Sequence, residues 1–205
     1  MKKIFLALAP FLFTIGMNAT AQDHKSLEEV KGISVGTQVT KFTATDADGN
    51  TYRLKKALKK GPVVVLFYRG QWCPVCNRHL SHLQDSLQLI YAKGATVIAI
   101  SPEKPDLLQK TREKTKATFT LLHDKDFNIG EMFDVVFDPG KKLADRYNEK
   151  LKANLEQASS DGTNRLPVPA TFILNKKGMV VWRHFNPDYI KRASVRDIIQ
   201  NIPLR

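Results

Sequence analysis

Cysteine is nearly absent from this chain of 205 residues, which carries only Cys73 and Cys76. Two cysteines exclude a scaffold knitted by several disulfides, and a bridge closing so short a loop is a weak staple, because stabilisation grows with loop length. The value of the pair is therefore expected to be chemical. Long apolar runs are also scarce: after the opening residues nothing approaches the ~20 apolar positions that span a bilayer. No stable membrane insertion of the mature chain is expected. Acidic residues are the minority charge, 20 against 32 Lys and Arg, for a net charge of +12. The excess is dispersed in doublets such as Lys55-Lys56, Lys141-Lys142 and Lys176-Lys177. Doublets at turns and helix ends are the mark of a solvated surface, so no nucleic-acid partner is expected. No internal repeat or long low-complexity segment is present.

What is there begins with a leader. Lys2 and Lys3 precede an apolar run from Ile4 to Ile15, followed by Ala19-Thr20-Ala21. A charged start, a short apolar core and a small-x-small site are the three parts of a secretory signal peptide, expected over residues 1–21. No cysteine follows the apolar core, which argues against a lipid anchor. Export, to the periplasm, is the expected localisation. Taking 21 residues from 205 leaves 184, and losing Lys2 and Lys3 takes the charge from +12 to +10. That is enough chain for one domain with a full core. The expected organisation is an N-terminal tail over 22–33 and one domain over 34–205.

The periodicities give an α/β domain. Val39 to Thr45 and Thr51 to Leu54 read as a hairpin around Asp48-Gly49-Asn50. "VVVLFYR" after Gly61-Pro62 and "ATVIAIS" from Ala95 are continuous apolar runs, suited to strands buried on both faces. "ATFTLLHD" is a third strand. Between them a helix is predicted from Pro74 to Tyr91, with Leu80, Leu83, Leu87 and Ile90 on one face, and another from about Pro105. Short helices near 127–133 and 141–151, a loop over 159–167, strands over 170–174 and 179–185 and a helix over 194–202 complete the chain. The outcome is a central mixed sheet flanked by helices. Gly70 to Cys73 then falls at the carboxyl end of a central strand, where sites of open α/β sheets lie.

Pro74 suits the first helical position, which puts Cys73 at the N-cap and Cys76 at the third helical residue. Unpaired amides and the helix dipole favour thiolate there, the form that attacks disulfides and peroxides. Cys76 heads the buried stripe, so Cys73 is expected to be the more exposed sulfur and the first to meet a disulfide substrate. Arg69 and Arg78 are candidates to add positive potential. Other uses of a dithiol fit poorly. Covalent haem attachment needs histidine directly after the second cysteine, where Asn77 stands. Cys76, His79 and His82 step around the helix by about 60° each time, so they do not converge on zinc. No metal and no cofactor is expected. In "LPVPATFIL", Pro169 stands directly before a strand, where a cis peptide bond would offer backbone groups to a substrate.

Trp72-Cys73-Pro74-Val75-Cys76 between strand and helix, with Pro169 before "ATFIL", resembles the thioredoxin superfamily. "FYRGQWCPVC", "LPVPATFILNKKG" and "FNPDYIKRAS" are similar to the peroxiredoxin-like branch of the alkyl hydroperoxide reductase/thiol-specific antioxidant (redoxin) family, over nearly the whole mature chain. The resemblance implies a thioredoxin-like fold with a peroxiredoxin-type N-terminal hairpin. It also implies a peroxidase that reduces hydrogen peroxide or alkyl hydroperoxides through a peroxidatic cysteine, regenerated by a thioredoxin-like thiol reductant. The family pattern Pro-x-x-x-Thr-x-x-Cys puts Arg69 at its proline, Cys73 at its threonine and Cys76 at its peroxidatic cysteine. Pro169 stands where the family carries an arginine. The resemblance thus implies attack by Cys76, resolution by Cys73 to a redox-active Cys73–Cys76 disulfide, and Trp72, Arg69 and Pro169 at the substrate. The alternative is an exported thiol-disulfide oxidoreductase acting on protein disulfides, with Cys73 as first nucleophile.

Overall fold

A computed structural model describes residues 24–203. The signal segment expected over 1–21 lies outside the described residues.

In chain order the strands are β1 (Thr43–Asp46), β2 (Thr51–Arg53), β3 (Val63–Phe67), β4 (Thr96–Ser101), β5 (Thr120–His123), β6 (Val136–Phe137), β7 (Leu166–Pro167), β8 (Ala170–Leu174) and β9 (Val180–Phe185). The helices are α1 (Leu54–Leu58), α2 (Pro74–Asp85), α3 (Leu87–Ala92), α4 (Pro105–Thr115), α5 (Asn128–Met132), α6 (Gly140–Leu151), α7 (Leu155–Ala158) and α8 (Val195–Asn201). A seven-stranded sheet runs in the order β2-β1-β5-β4-β3-β8-β9. β3, β4 and β5 are parallel, and the hairpins at either edge pair antiparallel. This is the mixed α/β sheet that the sequence predicts.

All five residues of β3 are buried, because helices cover both faces of the sheet. Alternate residues serve opposite cores. Val64 and Leu66 face the layer formed by Cys76, Leu80, Leu83, Leu87 and Ile90. Val63, Val65 and Phe67 face Phe133 and Phe172. The three rings Phe67, Phe133 and Phe172 pack with centroids 5.0 to 6.1 Å apart, a spacing at which aromatic edges meet faces.

Three expectations are corrected. The helix predicted over 74–91 is two helices, because Ser86 leaves the helical region (φ −107°, ψ 9°) and its amide bonds back to Leu83. Leu87 and Ile90 stay buried, so the apolar stripe survives the break. The first strand starts at Thr43, since Val39 instead donates its amide to the Gly178 carbonyl at 2.7 Å and Gln38 bridges Met179. The loop over 159–167 ends in β7, which pairs with β6. The sequence leaves Pro169 open between cis and trans; it is trans, as no cis peptide bond occurs among the described residues.

Candidate active site

β3 delivers the chain to the site. Tyr68 continues it, bonding its amide to Ile100 at 3.0 Å, and Arg69 to Cys73 then turn into α2. Gly70 is required by a close approach: a Cβ there would come within 2.6 Å of the Glu103 carboxyl carbon and of the Trp72 indole nitrogen. Glu103, from the loop after β4, accepts the Gln71 amide at 2.7 Å and so pins the turn. It is buried, and burial pushes its carboxyl up to about 8. Its second oxygen and the Trp72 indole N–H have no hydrogen-bond partner.

Cys73 is the N-cap of α2 and Pro74 opens the helix, as predicted. The Cys73 and Cys76 sulfurs are paired as a disulfide, with Cα atoms 5.2 Å apart, and the Cys76 amide points at Cys73 Sγ from 3.3 Å. The expected difference in exposure is not found: Cys73 is 0% and Cys76 1% exposed. Both sulfurs are buried, so exposure does not favour Cys73 as first nucleophile.

Two guanidinium groups flank the pair. Arg69 Nη2 lies 3.3 Å from Cys73 Sγ, and Arg192 Nη2 lies 3.5 Å from Cys76 Sγ. Neither arginine has a carboxylate partner among the described residues. Burial, and then the nearby Arg69 charge, push Arg192 down to about 10, still fully protonated at neutral pH. Arg192 is fixed through its own chain, donating to the Tyr189 carbonyl at 2.5 Å. The His79 ring nitrogen lies 3.0 Å from the Ala193 carbonyl and latches the same segment onto α2. Burial first, and Arg192 second, push His79 down to about 4. It is therefore neutral in the working range and adds no third positive charge.

The candidates divide. Arg69 and Trp72 join the cysteines, but both are buried, 3% and 5% exposed, so they support the dithiol from beneath and do not present a binding surface. Trp72 packs on Tyr147 with ring centroids 5.3 Å apart. Pro169 lies two residues before Thr171, which pairs with Leu66, so it stands beside the carboxyl end of β3. Arg78 is exposed and lines a cleft of about 560 Å³ with Val75, His79, His82, Ile190 and Arg192, one side of which leads to Cys76 through Arg192. Sequence reasoning missed Arg192. The family's arginine precedes the "ATF" strand, and here the charge arrives from 23 residues beyond Pro169, a placement only the fold reveals.

The sequence pattern of the AhpC/TSA family matches residues 35–183. The chain belongs to the AhpC/TSA family. Its thioredoxin-like fold matches solved members: it aligns with the peroxidoxin BcpB of Mycobacterium tuberculosis at a TM-score of 0.62 and 21% identity, covering 82% of this chain and 92% of that one. By sequence it is 29% identical over 148 residues to the chloroplastic peroxiredoxin Q of Populus jackii, 72% of this chain and 58% of that protein. It is 32% identical over 103 residues to the peroxiredoxin Bcp of Escherichia coli strain K12, 50% of this chain and 65% of that protein. This AhpC/TSA member thus spans about three fifths of the length of the curated relatives it matches.

Proposed function

We propose that this AhpC/TSA member is a thiol-dependent peroxidase that reduces hydrogen peroxide or alkyl hydroperoxides, with Cys76 as the attacking sulfur. The observation that carries the reading is the position of Cys76 at the family's peroxidatic place, in the first turn of α2, with Arg192 at 3.5 Å from its sulfur. A helix N-terminus and a guanidinium both favour thiolate over thiol. The Cys76 thiolate attacks the terminal oxygen of the hydroperoxide, the O–O bond breaks, and the leaving alkoxide takes a proton to depart as alcohol, or as water from hydrogen peroxide. Arg192 is close enough to stabilise charge passing from sulfur to the leaving oxygen. Cys76 is left as sulfenic acid, which Cys73 resolves to the disulfide, and a thioredoxin-like thiol reductant restores the pair.

The leader pattern supports an exported, periplasmic enzyme, whose secreted form would begin at Gln22 by intact mass. The catalytic reading is tested by peroxide consumption with a thioredoxin-type reductant, in wild type, Cys73→Ser and Cys76→Ser. Turnover is expected in wild type. Cys73→Ser should consume one equivalent and stop, and Cys76→Ser should consume none.

A further inference from the structure

Arg69 stands where the family pattern carries proline, and the peroxide step at Cys76 makes no use of it. Its guanidinium is boxed by aromatic faces, 4.0 Å from the Tyr189 ring centre, 4.8 Å from Tyr147 and 5.1 Å from Trp72. Aromatic faces attract a cation without neutralising it. The residue is 3% exposed, its Nε has no hydrogen-bond partner, and no carboxylate pairs with it among the described residues. A buried charge left without a counter-ion is costly. The atom that Nη2 does reach, Cys73 Sγ at 3.3 Å, is neutral in the disulfide and can carry a full negative charge once the bridge opens.

We propose that Arg69 is a catalytic residue of the resolving half-reaction, holding Cys73 as a thiolate while Cys76 is a sulfenic acid and so setting the rate at which the disulfide closes. The proposal rests on the peroxidase reading above. In this step Cys73 Sγ attacks Cys76 Sγ, the S–S bond forms, and the S–O bond breaks. The hydroxide that leaves takes a proton from solvent and becomes water. The peroxide has already supplied the oxidising equivalent. On the return, a donor thiol that attacks Cys76 expels Cys73, and the same guanidinium makes Cys73 the better leaving group.

The gain can be bounded. Each pH unit by which the thiol's ionisation is lowered raises the thiolate fraction about tenfold, while nucleophilicity falls only about threefold, until ionisation reaches the ambient pH. The net advantage is about threefold per unit. The other charged and titratable groups around Cys73 do not cancel it. Arg192 acts in the same direction through Cys76. Glu103 is neutral below about 8 and His79 is neutral above about 4. Tyr147 and Tyr189 present ring faces to Arg69, and Lys114 bonds the neighbouring Gln71.

The test is a rapid-quench time course with one equivalent of hydrogen peroxide, resolving sulfenate, disulfide and sulfinate by intact mass. Wild type is compared with Arg69→Met, which keeps a long apolar stem in the aromatic box, and Arg69→Lys, which keeps the charge. In Arg69→Met, disulfide closure at pH 7 is expected to slow about three- to tenfold relative to sulfenate formation. The pH midpoint of closure should move upward, and in a parallel course with excess hydrogen peroxide Cys76 sulfinate should accumulate, because the longer-lived sulfenate meets a second equivalent. Arg69→Lys should recover part of the rate. A folded Arg69→Met that closes with the wild-type rate and pH midpoint overturns the proposal. So does an Arg69→Lys as slow as Arg69→Met, which would mean packing alone. Absence of any sulfenate at Cys76 in Cys73→Ser is a different result, and it removes the peroxidase reading itself.

Discussion

Two buried arginines in this molecule are held in opposite ways. Arg165, 9% exposed, bonds Glu131 at 2.8 Å and Asp161 at 2.7 Å, and lies over the Phe127 ring at 4.6 Å. Its charge is fully answered. Burial alone would raise Asp161, but hydrogen bonds from Ser159, Arg165 and Thr163 outweigh it and hold the carboxyl down at about 2. Arg69, at 3% exposed, has only aromatic faces and a sulfur. The first arrangement pins a loop; the second keeps positive potential unspent beside a sulfur that the proposed resolving step makes anionic.

The comparison breaks first at the sulfur proposed to attack peroxide. Cys76→Ser should reduce peroxide consumption to the uncatalysed background, measured by loss of peroxide with reductant in excess. Arg192→Met should slow the oxidation of Cys76 by about a hundredfold, the usual consequence of removing one charge-stabilising donor, read from the sulfenate time course. Arg165→Met should do the converse. It removes the ion pair from Asp161, which keeps its bonds from Ser159 and Thr163, and should lower stability by about 2 kcal/mol in a urea titration, with unchanged peroxide turnover per folded molecule. Arg69→Met, which strands no carboxylate, should cost less stability than Arg165→Met.

Per pH unit, the smallest effect is a slope in stability. Burial raises Glu103 to about 8 and Asp124 to about 7, above their values in the unfolded chain. Between about pH 4 and these values the folded state binds more protons than the unfolded one, so stability falls as pH rises. The contribution is complete below the unfolded values and lost through pH 7 to 8. The slope is at most about 1.4 kcal/mol per pH unit for each group. Glu103→Gln should flatten it, checked by urea midpoints at pH 5, 6, 7 and 8.

Much of the scaffold was legible because its signals are local. The unbroken apolar run at β3 reads as a doubly covered strand, Pro74 marks the start of α2, and the stripe Leu80, Leu83, Leu87 and Ile90 gives its buried face. The break at Ser86 left no mark in that stripe, since the apolar spacing continues through it. The site was half legible. Cys73, Cys76, Trp72 and Arg69 lie in one stretch and can be read together. Arg192 and Glu103 reach the loop only through the sheet order and the return from β9 to α8. The exposure expected of Cys73 failed for a like reason: Arg69, which lies against its sulfur, is itself covered by the Tyr189 ring from the return between β9 and α8.

The most direct test of the central claim is to treat reduced Cys73→Ser and Cys76→Ser with one equivalent of hydrogen peroxide, and to locate the oxidised sulfur by peptide mass after trapping with a sulfenate-specific reagent. The prediction is a trapped sulfenate on Cys76 in Cys73→Ser and no rapid oxidation of Cys73 in Cys76→Ser. A rapid sulfenate on Cys73 in Cys76→Ser, with Cys73→Ser inert, would contradict it and return the first attack to the other sulfur.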